Sequence, residues 1–165
     1  MSDLTSIHAL LTYSDRMNRL VFERAGQLDD AKLSQPIEIG PGTLRRILVH
    51  IYNGEFAWLA RWQGQIETKW PSETIAPLPT EIMTMLDEVF TRRQQFVSGL
   101  TAAHLDAIQP YRDSRGSVFK ATLRDMILQG IVHSTHHRAQ AVNAIRRLGG
   151  DAPEVDYMVS VRQPA

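Results

Sequence analysis

Apolar residues recur at intervals of three and four along four long segments of the chain, and this spacing predicts four amphipathic helices. The first segment has a predicted buried face that includes two polar residues, Ser14 and Asn18. That face consists of Ile7, Leu11, Ser14, Asn18, Val21, Ala25 and Leu28. The fourth segment extends from about Thr122 to Leu148 and is followed by two glycines, the residue type favoured just beyond a helix end.

The second helix is predicted to begin after a Pro-Gly pair, with Thr43 as its N-cap, and to end near Gly64. Its apolar positions are Leu44, Ile47, Leu48, Ile51, Phe56, Trp58 and Leu59. The third helix is predicted to open near Thr80 and to end at residues 99–101. Its apolar side consists of Ile82, Leu86, Val89, Arg93, Phe96 and Leu100, with the arginine expected at the edge.

Two connections have their own patterns. The Pro-rich stretch PSETIAPLPT (residues 71–80) predicts a long connection between the second and third helices, because each proline lacks a backbone donor. The stretch AIQPYRDSRGSVFKATL (residues 107–123) predicts a short hairpin or an irregular loop before the fourth helix. The chain is therefore predicted to be all-α, a four-helix bundle forming a single domain over residues 1–165.

Composition narrows the classes of function. Eighteen basic and eighteen acidic side chains balance, so no net field favours nucleic acid or an anionic membrane, and we expect neither as a partner. The paired arginines at 45–46, 92–93 and 146–147 are expected on exposed helix faces. Cysteine is absent, which leaves imidazole and carboxylate as metal ligands. Neither a signal-peptide pattern nor a run long enough to span a membrane is visible, and a cytoplasmic protein is expected.

Histidines supply the candidate chemistry. The segment IVHSTHHRAQ (residues 131–140) contains three, and at about 100° per residue they fall on different sides of the fourth helix. His137 is predicted in the middle of the buried stripe, with His133 one turn earlier and about 40° to one side. His136 falls about 100° away and is expected to be exposed or peripheral. His133 and His137 are thus the candidate metal pair, although such a pair also occurs by chance in hydrogen-bonded core or boundary positions.

A third ligand is expected from another helix. His8 is near the N-terminus, and His104 follows the third helix in a predicted loop. His50 lies in the middle of the second helix, on a side with small and apolar neighbours that would let another helix approach closely. We therefore predict His50 as the third ligand.

Four segments of the sequence together resemble a known family. The segments GTLRRILVHIYNGEFAWLARWQG, RDSRG, LRDMILQGIVHSTHHRAQ and RRLGGDAPEVDY occur in the order found in the DinB family, the DNA-damage-inducible DinB/YfiT-like metalloenzymes. The resemblance implies a four-helix bundle, often a homodimer, holding a divalent ion on one histidine of the second helix and two of the fourth. By position these are His50, His133 and His137. One departure is Ala139, where many relatives have glycine, which puts close helix packing there in doubt.

Three neutral imidazoles with open positions are typical of a catalytic rather than a structural metal site. The resemblance implies an enzyme that performs thiol transfer or hydrolysis on an unidentified small molecule, with a low-molecular-weight thiol as a candidate partner. Zinc is the expected ion, with nickel next. The alternative is a non-catalytic, metal-stabilised protein for small-ligand binding or stress response. A third idea, DNA binding, has little support in a neutral chain.

Further candidates are weaker. Ser14 and Asn18 could orient a ligand or a substrate, and the alternative is that they are tolerated polar residues near a helix end or a dimer contact. Tyr13, Asp15 and Glu55 are weaker again, since their angular positions do not place them clearly with the histidines. The aromatic residues Phe56, Trp58 and Trp62 are interpreted either as core or as part of a homodimer contact.

Overall fold

Four long helices make up most of this computed structural model, which describes residues 3–66 and 78–163. Their bounds are α1 (Asp3–Ala25), α3 (Leu44–Trp62), α4 (Pro79–Ser98) and α6 (Leu123–Arg147). The other elements of these residues are short helices and a hairpin: α2 (Asp30–Ser34), α5 (Ala102–Leu105), β1 (Ile108–Arg112), β2 (Val118–Thr122) and α7 (Tyr157–Val161). The predicted four-helix bundle is confirmed, and the stretch before the last long helix is an antiparallel hairpin.

Local signals set the helix ends. The Thr43 side chain accepts a hydrogen bond from the Arg46 backbone N–H at 3.2 Å, and the Thr122 side chain caps α6 in the same way. Gly64 and Gly149 both have a φ of 77°, a conformation that suits glycine just after a helix. The helix α4 begins at Pro79, next to the predicted start. Most of the predicted long connection, residues 71–77, lies outside the described residues.

The bundle has a simple arrangement. The helix α6 packs against both α1 and α3, and α4 packs against the same two helices from the other side. As a result α1 and α3 are diagonal neighbours, and α6 and α4 separate them. No helix among the described residues is both long and apolar enough to cross a membrane.

The core consists of two apolar clusters separated by a polar layer. One cluster contains the C-terminal part of α1 and the N-terminal part of α3, and the other contains the opposite ends of these helices. The polar layer lies between them, and we define it by six buried residues: Ser14, Asn18, Glu55, Arg93, Ser134 and Arg138. This layer joins all four long helices.

Two predictions about arginines are wrong. Arg93 is not at the edge of its helix but 2% exposed, and it forms ion pairs with Asp15 and Glu55. Arg45 is also buried, where it pairs with Asp30 at the start of α2. Both exceptions arise because a carboxylate from another helix offsets the cost of burying the guanidinium, a pairing that helix periodicity does not reveal.

Candidate metal centre

Three histidines converge where α3 packs against α6. His50 comes from α3, and His133 and His137 come from successive turns of α6. One ligand-type nitrogen from each ring lies within 4.8 Å of the other two. The ring centroids are 5.2 Å apart for His50 and His133, 4.2 Å for His50 and His137, and 4.4 Å for His133 and His137. The predicted trio is therefore brought together in space, and each member is partly buried.

A glycine on α3 makes room for this cluster. A Cβ atom on Gly54 would overlap the His133 ring, lying 2.6 Å from its Nδ1. Real Cβ atoms do not approach other atoms so closely. Gly54 is one turn after His50, so the absence of a side chain there lets the His133 ring lie directly against the helix that carries His50.

Gln140 orients the His137 ring. The His137 Nδ1 atom is 2.8 Å from the Gln140 Oε1 atom, and an amide oxygen can only accept, so Nδ1 donates. The Nε2 atom of His137 is then the unprotonated nitrogen, available as a ligand. Gly40, whose φ is 49°, leaves room for the Gln140 amide, because a Cβ there would lie 2.5 Å from the Gln140 Oε1 atom.

The surroundings favour neutral imidazoles. Burial, together with the smaller effects of the neighbouring His137, His50, His136 and Arg61, lowers the pKa of His133 to about 3. Burial also lowers the pKa of His137, although its hydrogen bond to Gln140 acts in the opposite direction. A proton therefore does not compete strongly for these nitrogens near neutral pH. The donor set fits a divalent ion of the zinc and nickel type.

The remaining histidines lie outside the cluster. His136 is exposed, as predicted, with its ring edge-on to His137 and its Nε2 atom 3.1 Å from the Gln140 amide nitrogen. His8 lines a different cavity, beside Arg93, and His104 accepts a hydrogen bond from the Thr101 backbone N–H.

One detail of the angular prediction is wrong. His137 is not in the middle of the buried stripe of α6, which instead centres on Ser134 and Arg138. His133 and His137 both lie at the edge of this buried stripe. At 100° per residue, His133 is about 100° from the centre of the stripe. The reason is that the polar layer occupies the middle of the bundle, so Ser134 and Arg138 are buried although their types suggested exposure. This edge position gives the histidines access to a cleft.

A cavity of about 530 Å³ adjoins the cluster. It is bounded by α3, α6 and the hairpin, and it includes His50 and His133 among its lining residues. The other wall residues include Trp58 and Arg61 of α3 and Tyr111 of β1. The volume is in the range of small-molecule sites, so a ligand of moderate size could reach the histidines.

The weaker candidate site residues Ser14, Asn18 and Glu55 all belong to the polar layer. The Asn18 amide donates to the Glu55 carboxylate at 3.0 Å, and the Arg138 guanidinium donates to Ser14 Oγ at 3.1 Å and to Asn18 Oδ1 at 3.0 Å. Burial raises the pKa of Glu55, and hydrogen bonds from Ser134 and Asn18 and the charge of Arg138 offset part of this rise, so that the resulting pKa is about 7. These contacts hold the helices together, and a role of Ser14 or Asn18 in orienting a metal ligand stays a prediction.

Tyr13 and Asp15 also have structural partners. The Tyr13 hydroxyl donates to the Val155 carbonyl, and its ring packs edge-on against Tyr157. Asp15 pairs with Arg93. Tyr13 therefore fastens the C-terminal segment to α1, and Asp15 extends the polar layer.

The three aromatic residues of α3 pack within the chain. Trp62 is buried, and its indole N–H donates to the Met126 carbonyl at 2.9 Å. Phe56 and Trp58 are half-buried against the same apolar cluster. Ala139 is exposed, so the methyl group at the departure from the family pattern does not lie in a helix contact.

Fold and site together define a class: a four-helix bundle with a cluster of three histidines contributed by its second and fourth long helices. The chain belongs to the DinB family, because the sequence model of that family matches residues 1–164. No curated protein of known function matches the chain.

Two solved structures have a similar fold. A DinB-like protein from Bacillus cereus is 25% identical, with a TM-score of 0.64, and the match covers 88% of this chain and 92% of that one. YfiT from Bacillus subtilis is 16% identical with a TM-score of 0.67, and 87% of each chain is covered. YfiT is described as a probable metal-dependent hydrolase with an unusual four-helix bundle topology.

Sequence reasoning missed three residues of the site and its support. Gln140 is three positions after His137, the spacing at which helical side chains meet, and that signal could have found it. Arg61 is eleven positions after His50, which places it only about 20° around the same helix. Arg138 was assigned no role, and no pattern in the sequence indicates that a guanidinium beside His137 is 1% exposed.

Proposed function

We propose that His50, His133 and His137 hold one divalent ion and that the protein is a metal-dependent enzyme of small-molecule thiol transfer or hydrolysis. The observation that carries the proposal is the convergence of three ligand-type nitrogens within 4.8 Å beside a cavity that can admit a substrate. The description of YfiT as a probable metal-dependent hydrolase supports the same class of reaction.

A divalent ion with three imidazole ligands and open positions lowers the pKa of a water or thiol and polarises a carbonyl, and both reactions use this chemistry. The protein's own residues prepare the site. Gln140 fixes the tautomer of His137, Gly54 admits the His133 ring, and burial keeps both rings neutral. We propose zinc as the ion, with nickel as the second choice.

An activity screen tests this proposal. Metal-loaded protein is incubated with esters, amides, epoxides and alkyl halides, each with and without a low-molecular-weight thiol, and products are identified by mass spectrometry. A product to which the thiol has been added indicates transfer, and a product to which water has been added indicates hydrolysis. The His137→Ala variant is expected to lose the reaction, and the His136→Ala variant, altered at the exposed neighbouring histidine, is expected to keep it.

The absence of metal-dependent turnover would favour a structural role for the ion. If no substrate is converted faster than by metal-free protein, and removing the metal strongly lowers the melting temperature, the ion acts as a structural link between α3 and α6. The enzyme proposal is then abandoned in favour of the non-catalytic alternative.

A further inference from the structure

Three aromatic rings form a row along one side of the cavity beside the histidines, and we define this aromatic wall by Trp58, Tyr111 and Phe119. The ring centroids of Trp58 and Tyr111 are 6.0 Å apart, with the ring planes inclined at 49°. Those of Tyr111 and Phe119 are also 6.0 Å apart, with the planes inclined at 35°. These separations are in the range at which aromatic rings attract each other, so the three rings form one continuous surface.

The hairpin directs Phe119 to the cavity side. Phe119 is opposite Tyr111 in the strand register, and it is two residues before Ala121. Tyr111 and Ala121 both line the cavity. Side chains that are directly opposite each other, or two residues apart on one strand, project from the same face of a sheet. Phe119 therefore extends the aromatic wall outward from the cavity, and its ring is open to a ligand because the residue is 49% exposed.

The charged groups of the cavity do not favour an anionic substrate. Burial lowers the pKa of the Arg61 guanidinium, and Tyr111 and Asp113 offset part of this effect, so the arginine is already attracted to a neighbouring carboxylate. Its guanidinium carbon is also 4.6 Å from the centroid of the Trp58 ring. The described lining residues include two carboxylates, Asp113 and Asp125, against this one guanidinium. An additional negative charge on the body of a substrate would be repelled there.

We propose that the aromatic wall determines the specificity of this site and that the substrate is an uncharged compound whose aromatic ring packs against Tyr111 and Phe119 while its reactive group reaches the histidine cluster. The inference rests on the proposed function, since it assigns a substrate class to the same site. The cavity of about 530 Å³ is lined by two of the three histidines and by Tyr111, so one small molecule can contact both. Because the Arg61 guanidinium lies over Trp58, the ring of the substrate is expected at the other end of the wall.

A series of related thiols tests the inference by calorimetry on cobalt-loaded protein. The probes are 3-phenylpropane-1-thiol, propane-1-thiol and 4-(3-mercaptopropyl)benzoate, which share the thiol and the spacer and differ at the far end. The phenyl thiol is expected to bind about 10- to 100-fold more tightly than propane-1-thiol, because packing the ring on the wall removes apolar area from water. The benzoate is expected to bind more weakly than the phenyl thiol, because its carboxylate meets a wall with an excess of negative groups.

Variants of the hairpin locate the effect. The Phe119→Ala variant is expected to bind the phenyl thiol about tenfold more weakly and propane-1-thiol unchanged. The Val118→Ala variant is the matched control, since Val118 precedes Phe119 in β2, is 53% exposed and projects from the opposite face of the hairpin. Its affinity for the phenyl thiol is expected to equal that of the unmodified protein.

A conservative variant separates aromatic packing from apolar area. Leucine at position 119 keeps most of the apolar area but not the ring. The ratio of the affinities for 3-phenylpropane-1-thiol and 3-cyclohexylpropane-1-thiol is therefore expected to be about 2- to 10-fold lower in Phe119→Leu than in the unmodified protein, the range for one aromatic pair.

Several results would overturn the inference. These are equal binding of the phenyl and propyl thiols, tighter binding of the benzoate, an unchanged affinity in Phe119→Ala, an equal loss in Val118→Ala, or an unchanged ratio in Phe119→Leu. The comparison of the probes on the unmodified protein decides the matter even if the Phe119 variants do not fold.

A second readout separates this inference from the proposed function. Coordination of a thiol changes the visible absorption of the cobalt-loaded protein. If no thiol changes the absorption but 3-phenylpropan-1-ol still binds in a Phe119-dependent way, thiol chemistry at the histidines fails and the aromatic subsite stands. If the phenyl and propyl thiols both change the absorption and bind with equal affinity, the metal site stands and the substrate class assigned to the aromatic wall falls.

Discussion

At the scale of single residues, the proposed metal site depends on a neutral His133. Its pKa in the folded chain is about 3, against an ordinary value of 6.5, because the ring is buried among other imidazoles and near Arg61. Between these two values the unfolded chain binds a proton that the folded chain does not. This residue therefore makes the stability of the metal-free protein fall as the pH drops through that window.

We predict that the His133→Asn substitution weakens this pH dependence. The free energy of unfolding of metal-free protein, measured by urea denaturation between pH 6.5 and 4, is expected to have a slope lower by up to one proton, about 1.4 kcal/mol per pH unit. The His8→Asn variant, altered at an exposed histidine of α1, is the matched control against which the slope of His133→Asn is compared. An identical slope in His133→Asn would contradict the proposed burial.

Gly54 gives a second prediction at this scale. Alanine is favoured over glycine within a helix by about 1 kcal/mol, yet its Cβ would occupy the space of the His133 ring. We expect Gly54→Ala to fold and to bind the metal about tenfold more weakly or worse, the size of effect typical of lost support around a ligand. Competition with a chromophoric chelator measures the affinity.

The control for that variant is Gly99→Ala. A Cβ on Gly99 would meet only the Phe96 carbonyl at 3.7 Å, an ordinary contact, so its metal affinity should be unchanged. Equal affinities for the two variants would show that the His133 ring has no need of the space at Gly54.

At the scale of secondary-structure elements, the polar layer holds the four long helices in register. Arg93 of α4 pairs with Glu55 of α3 and Asp15 of α1, and Arg138 of α6 bonds with Ser14 of α1. Such buried pairs add little net stability compared with apolar residues, but losing one partner leaves a buried charge uncompensated. The polar layer thus fixes which helices are neighbours and their register along the bundle axis.

We predict that Arg93→Met lowers the free energy of unfolding by about 3 to 5 kcal/mol, because Glu55 is then buried without its cation. The double variant Arg93→Met with Glu55→Gln is expected to be more stable than Arg93→Met alone, since a neutral amide removes the uncompensated charge. Urea denaturation of both variants and of Glu55→Gln completes the cycle. A double variant with the summed loss of the two single ones would refute the coupling.

Elements also show what a sequence can and cannot predict. The caps Thr43 and Thr122 and the terminal Gly64 act locally, so helix bounds could be predicted to within a residue or two. The burial of Arg93 could not be predicted from the sequence, because it depends on carboxylates that come from two other helices. For the same reason, angular sorting selected histidines that do lie together but misplaced the centre of the buried stripe of α6.

At the scale of the whole molecule, the histidine cluster connects the two helices with the most extensive contact, α3 and α6. The cavity lies along the same contact and is bounded on one side by the hairpin, so metal and substrate would share one interhelical boundary. The sequence predicted the residues of the cluster, but the cavity required the hairpin to fold over α3, which no local pattern indicates. A homodimer, expected from the family resemblance, stays a proposal.

Metal content measured on untagged protein is the most direct test of the central claim. Elemental analysis after loading is expected to give one divalent ion per chain, with the ion lost in both His50→Ala and His137→Ala and kept in His136→Ala. The three substitutions are chemically identical and differ only in whether the ring belongs to the cluster. Unchanged metal content in both His50→Ala and His137→Ala would show that the histidine cluster does not hold the ion.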